Sequence, residues 1–364
     1  LRNGTTYNAF LVRGERTALI DTSHAKFRDT WIPLLKEQIE PTAIDVLIVS
    51  HTEPDHSGLI GDLIDLNPDI EIVGSKVALQ FLQDQVHRPF KSRAVKSGEE
   101  LDLGTNPESG IQHRFEFLSA PNLHWPDTIF SFDHGTGILY TCDAFGLHYC
   151  SDDVFDSDPG AIAPDFRFYY DCLMGPNARS VLQALKRMGG LPEINTIAVG
   201  HGPLLRHHLS HWVNDYREWS GQRSKGESYA AVCYLSQYGF SDRISQAIAH
   251  GIGKAEAQVQ LVDLRATDPQ ELTALIGDAK AVVVPTWPAE PDGELQASIG
   301  TLLAALHPKQ LVGVFDAFGG NDEPIDAVAD QLRSQGQKQA FAPLRIRQLP
   351  QGSDYQRCEE SGTD

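Results

Sequence analysis

Val46-Leu47-Ile48-Val49-Ser50-His51-Thr52-Glu53-Pro54-Asp55-His56 joins four consecutive apolar residues to four metal-competent side chains within six positions. An apolar run of that length, bounded by polar residues, predicts a strand buried on both faces. Imidazoles and carboxylates crowded into the loop that leaves such a strand can converge on one point, and both are donors that a transition-metal ion accepts. Outward from this stretch, residues 18–20, 72–74, 137–140 and 197–199 are similar short apolar runs. Several lead straight into an Asp or a His. Asp21 follows the first, Asp143 ends Tyr140-Thr141-Cys142-Asp143, and His201 stands in Val199-Gly200-His201-Gly202-Pro203. His124 lies in a further loop, Asn122-Leu123-His124-Trp125-Pro126-Asp127. Between the strand at 18–20 and Val46, the spacing of Phe27, Trp31, Leu34 and Leu35 predicts one apolar helix face, interrupted by Pro33.

The pattern changes after residue 210. Residues 211–219 predict a short helix and 220–228 are polar, so 211–228 is read as a linker between a domain at 1–210 and another at 229–364. In the second domain apolar strands at 231–235, 259–264, 281–284 and 311–315 each precede a helical pattern, and a last strand is expected at 344–348. Such βα alternation predicts a doubly wound parallel sheet.

The 364 residues suffice for two domains, and 41% hydrophobic with 22% charged residues describes globular protein. A formal charge of −19 repels nucleic acid and anionic membranes, and no apolar stretch has the length of a membrane span. The five cysteines are odd in number and form no Cys-x-x-Cys pair, which suits a reducing, cytoplasmic setting better than a disulfide framework. Leu1-Arg2-Asn3-Gly4 carries neither a start Met nor a signal peptide, as expected of a piece of a longer chain.

A lone histidine is more often a core or surface residue than a ligand. Seven candidate donors, each at a strand end or beside a turn, are not explained that way. The arrangement resembles the metallo-β-lactamase fold, an αββα sandwich with a dinuclear site at its strand ends. The zinc hydrolases of that fold use His-x-His-x-Asp-His, whereas this chain has Glu53 in place of the second His. Four imidazoles with three carboxylates make a harder, more anionic set, which suits iron. The spacing His-x-Glu-x-Asp-His is similar to that of the flavodiiron proteins. The resemblance implies one iron on His51, Glu53 and His124, a second on Asp55, His56 and His201, and Asp143 bridging them. It also puts Asp21, Trp125 and His148 around the ligands. His207, His208 and His211 receive no metal role.

In the second domain, Ser236-Gln237-Tyr238-Gly239-Phe240-Ser241-Asp242 follows the first strand and precedes a helix. Hydroxyls and backbone N–H groups at a helix N-terminus can cradle a phosphate, and the segment is similar to the flavodoxin pattern Ser/Thr-x-x-Gly-x-Thr/Ser. An ordinary capped helix is the plainer reading. Pro285-Thr286-Trp287 and the Phe318-Gly319-Gly320 stretch stand where flavodoxin-like domains contact the flavin ring. Departures from that pattern are Phe318 for Tyr, Gly320 for Trp, Asp316 for a small residue and Pro288 for Asn.

The resemblance covers essentially the whole chain and is nearest the cyanobacterial and plant-type branch. It implies FMN and two iron ions, reduction of dioxygen to water, and electrons from NAD(P)H through a flavin reductase domain not contained in this chain. Residues 356–364 are read as the junction to that domain. Nitric oxide is the other diatomic substrate such a site admits. The resemblance further implies a head-to-tail homodimer, or a heterodimer with a paralogue. Two alternatives are a zinc-dependent hydrolase of the same fold and a weakly loaded subunit that serves as partner in a heterodimer.

Overall fold

The computed structural model describes residues 2–224, 228–235, 241–255, 257–265, 267, 269–288, 290–316, 325–346 and 350–363. The chain divides into two compact units, Leu1–Lys225 and Gly226–Asp364.

The first unit carries two five-stranded sheets. One contains β1 (Phe10–Arg13), β2 (Thr17–Ile20), β3 (Val46–Val49), β4 (Glu71–Gly74) and β5 (Lys91–Ala94), in that order. The other contains β6 (Glu100–Thr105), β7 (Gln112–Ser119), β8 (Ile129–Asp133), β9 (Ile138–Cys142) and β10 (Thr196–Val199), ordered β10-β9-β8-β7-β6. The expected two-faced burial of β3 is visible residue by residue. Val46 and Ile48 join Ala18, Ile20, Phe115, Phe117 and Tyr140 in the core between the sheets. Leu47 and Val49 face the other way, onto Ile60, Leu63 and Leu82 beneath a helical layer. The second sheet repeats the scheme: Phe130, Leu139 and Val199 pack under helices that contribute Phe166, Val181, Trp212 and Tyr216. Burying one such side chain is worth ~1.5–3 kcal/mol. The result is a helix–sheet–sheet–helix sandwich of the metallo-β-lactamase type.

Two expectations need correction here. The stretch read as a linker from 211 to 228 is largely helix, Leu209–Ser224. Trp212, Tyr216 and Ser220 recur every fourth residue and are its buried face, so the helix closes the first unit. Phe27 and Leu34 are exposed rather than on a buried face, and the helix Arg28–Gln38 fully buries only Leu35. Phe27 belongs to the separate short turn Ala25–Phe27 and packs on Tyr7, ring centroids 5.2 Å apart.

The second unit holds β11 (Tyr229–Tyr234), β12 (Gln258–Asp263), β13 (Ala281–Pro285), β14 (Leu311–Phe315) and β15 (Lys338–Gln339), ordered β12-β11-β13-β14-β15 with every pairing parallel. This is the flavodoxin-like order, in which the chain reverses direction across the sheet between β11 and β13. Ala231 and Cys233 face one helix layer, and Ala230 and Val232 face the other. The strand expected at 344–348 is reduced to a single bridge of Leu344 with Phe315, while residues 347 and 348 lie outside the described residues. The edge strand is instead β15. Beyond it the chain bulges so that the Phe341 ring occupies the space over Gly313, where a Cβ would come within 2.3 Å of it. Of the residues 356–364 read as a junction, 356–363 belong to a helix, Gly352–Thr363, and 364 lies outside the described residues. It lies tightly on the helix Ser241–Lys254, with Gly251 and Gly362 at the crossing and Cys358 buried beneath. Among the described residues no helix is long and apolar enough to cross a membrane.

Candidate metal centre

The site sits where β3, β9 and β10 of the first unit end. The loop after β3 is pinned before any ligand is considered. Ser50 donates its backbone N–H to Asp21 Oδ1 at 2.7 Å, and Thr52 donates both N–H and hydroxyl to Asp127 Oδ2 at 2.8 Å. Thr22 gives its hydroxyl to the His56 carbonyl at 2.6 Å, and Ser57 gives its own to the Thr52 carbonyl at 2.9 Å. Pro54 opens the short helix Pro54–Ser57, where its missing N–H costs nothing. These bonds hold His51, Glu53, Asp55 and His56 pointing inward from one turn of chain.

Loops from elsewhere complete the set. His124 Nε2 lies 2.8 Å from Glu53 Oε2 and 3.0 Å from Asp143 Oδ2, and His51 Nε2 is 3.5 Å from that same Asp143 oxygen. On the other side, His56 Nε2 is 3.0 Å from Asp143 Oδ1 and 3.2 Å from His201 Nε2. His201 Nε2 is in turn 3.2 Å from Asp55 Oδ2. All seven residues expected from the sequence are therefore brought together. They fall into two groups, with one Asp143 oxygen facing each.

His51 and His56 are completely enclosed, and Asp55 Oδ1 and Asp143 Oδ1 are buried without hydrogen-bond partners. Converging lone pairs and orphaned anionic oxygens are what a cation satisfies, so the donor set fits two metal ions. Without them, protons fill the role. Burial opposes charge on His124, but the hydrogen bonds it donates to Asp143 and Glu53 push it up to about 9. Burial likewise disfavours the Glu53 carboxylate, yet His124 and His51 bring it down to about 2. Asp143 is held well below the usual carboxylate range: burial acts against it, and the charges of His56 and His51 outweigh that.

The outer shell contains more than the sequence revealed. Asp21 acts through Ser50, Trp125 lies 6.2 Å from the His51 ring, and His148 lies 5.2 Å from that of His201. The segment before β1 adds contacts with no sequence signal. His201 Nδ1 donates to the Thr6 carbonyl at 2.6 Å, and Gly202 N–H donates to the Thr6 hydroxyl at 2.8 Å. The first bond leaves the Nε2 lone pair of His201 facing the site. Tyr169 was also missed. Its phenol is fully buried with no hydrogen-bond partner, and its ring sits 4.9 Å from His148. Burial, reinforced by the charge of Asp143, raises its pKa well above the ordinary tyrosine value. His207 and His208 lend only backbone N–H groups to Asp156, which accepts at 2.8 and 3.0 Å, and His211 is exposed beside Asp215.

Of the flavin candidates, Ser241 and the contiguous Pro285, Thr286 and Trp287 can be followed at the carboxyl ends of β11 and β13. Ser241 is fully buried and its hydroxyl accepts the Leu235 N–H at 3.0 Å. Thr286 follows Pro285 at the end of β13 and donates its N–H to the Phe315 carbonyl at 2.8 Å. Trp287 packs on the helix-side core. Ser236, Gln237, Tyr238, Gly239, Phe240, Phe318, Gly319 and Gly320 lie outside the described residues.

The family model for ODP family beta lactamases matches residues 5–202. The chain is 52% identical over its whole length to diflavin flavoprotein A 1 of Synechocystis sp., and spans 62% of that relative's length. The metal-soaked Flv1 flavodiiron core from Synechocystis sp. superposes with a TM-score of 0.61 at 30% identity, covering 100% of this chain and 89% of that one. The rubredoxin oxygen:oxidoreductase of Desulfovibrio gigas shares the fold, with a TM-score of 0.56 at 24% identity over 99% of this chain and 89% of that one.

Proposed function

The chain belongs to the flavodiiron family, and on that premise we propose that it is an oxidoreductase reducing dioxygen to water at a two-iron centre supplied with electrons through FMN. The observation that supports this most is the convergence of seven donors in two groups, with Asp143 turning one carboxylate oxygen to each. In this reading His51, Glu53 and His124 would hold one iron, Asp55, His56 and His201 would hold the other, and Asp143 would offer one carboxylate oxygen to each. Such a pair supplies adjacent positions for a diatomic ligand and a store of two electrons.

The surrounding residues have definable tasks. Three carboxylates offset half the charge of two ferric ions, which a mostly imidazole set would not do. Thr6 holds the Nδ1 proton of His201, so that ring cannot rotate its donor away. Tyr169 keeps its proton on Oη across the physiological range, so it stays available there as a hydrogen-bond donor. Tyr7 and Phe27 pack against each other with the Lys26 ammonium 4.9 Å above the Phe27 ring; Tyr7 also touches the His201 ring edge-on at 5.3 Å. This apolar cover limits water at the Asp55–His201 side.

FMN is assigned to the second unit, at the carboxyl ends of β11 and β13. The strand order and the helix that starts at Ser241 support that placement. When bound there, FMN would supply the exchange between a two-electron donor and one-electron steps to iron. NAD(P)H acting through a flavin reductase domain, and a second copy or paralogue completing the electron path, belong to the same reading.

The test is anaerobic stopped flow. Protein loaded with iron and FMN and photoreduced is mixed with limiting dioxygen. Four electrons consumed per dioxygen, without hydrogen peroxide, is the expected result. No oxidation beyond that of free FMN would overturn the proposal.

A further inference from the structure

Cys142, the last residue of β9, immediately precedes the bridging carboxylate. It is 2% exposed and its backbone sits at φ 51°. In that left-handed region a β-carbon costs ~1–2 kcal/mol, and glycine or asparagine would meet a purely conformational need more cheaply. Cysteine brings a sulfur there instead. Gly200 makes the room: a Cβ on it would lie 3.1 Å from Cys142 Sγ and 2.8 Å from His56 Cε1. One donor atom each from His51, His56, Cys142 and Asp143 lie within 4.8 Å of one another, and all four residues are buried.

We propose that His51, His56, Cys142 and Asp143 form a second, mononuclear site for zinc inside the same pocket, exclusive of the two-iron arrangement. Two imidazoles, a thiolate and a carboxylate are a four-donor set of the kind zinc takes tetrahedrally. Around such an ion the donors stand roughly 3.3–3.8 Å apart, from metal–ligand distances of about 2.0–2.3 Å. His51 Nε2 lies 3.5 Å from Asp143 Oδ2 and His56 Nε2 lies 3.0 Å from Asp143 Oδ1, so either oxygen offers a donor beside one of the imidazoles. With every donor atom within 4.8 Å of the others, reaching the tetrahedral spacing takes a shift of at most about 1.5 Å.

Binding forms a zinc–sulfur bond and breaks the S–H bond, with the proton released to buffer. Thiolate and Asp143 then neutralise the ion, which suits a site without solvent. Zinc outranks ferrous iron for a given donor set, and the sulfur widens that preference. Because His51, His56 and Asp143 serve both arrangements, a chain that has taken zinc cannot hold two irons. The inference holds whichever diatomic molecule the iron form reduces.

The test uses the full chain carrying Cys150→Ser and Cys172→Ser, which removes the two exposed thiols. Metal-stripped, reduced protein is titrated anaerobically with Co2+, the spectroscopic substitute for zinc. One equivalent should produce a near-ultraviolet sulfur-to-cobalt charge-transfer band with intense tetrahedral visible bands, and Zn2+ should abolish both. Adding Cys142→Ser should remove the charge-transfer band and weaken Zn2+ binding at least ~10-fold. Cys142→Ala, checked by circular dichroism, should do the same in a folded chain. Cobalt bound without a sulfur band, or a band that survives either substitution, overturns the zinc site. Fe2+ is titrated in parallel: failure of the parent chain to take two irons would sink the two-iron reading and leave the cobalt result standing.

Discussion

The Nε2 atoms of His56 and His201 face each other at 3.2 Å, although the residues are 145 positions apart in the chain. Two imidazole lone pairs this close repel unless a proton or a cation lies between them, and Asp143 Oδ1 at 3.0 Å from His56 adds negative charge to the same point. His201→Ala is therefore expected to leave the fold intact and halve the iron bound per chain. Oxygen turnover should fall by at least ~100-fold, since a first ligand is lost where loss of an outer partner alone costs 10–100-fold. Metal analysis with a stopped-flow assay checks both outcomes. Full iron content in the variant would remove His201 from the ligand set.

The metal-free protein should have a stability window set by His124 and Glu53. His124 titrates near 9 when folded against an ordinary 6.5, so its contribution is complete below 6.5 and disappears as pH rises through 9. Glu53 titrates near 2 against 4.5, so its contribution is complete above 4.5 and disappears as pH falls through 2. Urea midpoints of apoprotein should be highest between 4.5 and 6.5 and decline on the alkaline side. Iron loading should abolish the alkaline decline, because the ion replaces the proton on His124. A flat midpoint from pH 6 to 9 in apoprotein would contradict this.

Tyr169→Phe separates stability from chemistry. The hydroxyl has no partner, so deleting it should leave stability unchanged or raise it by about 1 kcal/mol. Iron content should stay the same. Turnover with dioxygen should drop by roughly 10²-fold if the phenol is the proton donor nearest the bound molecule. Thermal unfolding, iron analysis and steady-state rates distinguish that from an ordinary packing role, which would leave turnover alone.

In the second unit the Gly251 position tolerates no side chain. A Cβ there would fall 1.9 Å from the Glu359 carbonyl oxygen on the terminal helix. Gly251→Ala should destabilise this unit by ~2–3 kcal/mol, as overpacking does, and detach the helix Gly352–Thr363. Calorimetry should show the loss in one transition only, with iron binding by the first unit unaffected.

The ligand loop was legible because sequence neighbours carry it: a strand of four apolar residues delivers His51, Glu53, Asp55 and His56 as one rigid turn. Asp143 and His201 could be anticipated at strand ends for the same reason. What escaped were contacts with no local pattern. Thr6 meets His201 from 195 residues away, and Tyr169 reaches the site from a helix whose periodicity marks only burial. The helix Leu209–Ser224 was read short because Asn214, Asp215, Arg217 and Glu218 make its outer face polar. Its buried side rests on Trp212, Tyr216 and Ser220 alone. Phe27 and Leu34 erred in the opposite sense: apolar spacing that looked like a core face lies open to solvent.

The bond between Thr6 and His201 also sets a schedule for manufacture. A ribosome releases Thr6 195 residues before His201, so Thr6 must wait for nearly the whole first unit before its partner exists. A nascent chain that ends before His201 lacks one of the seven donors, so the full set comes together only after most of the first unit has been made.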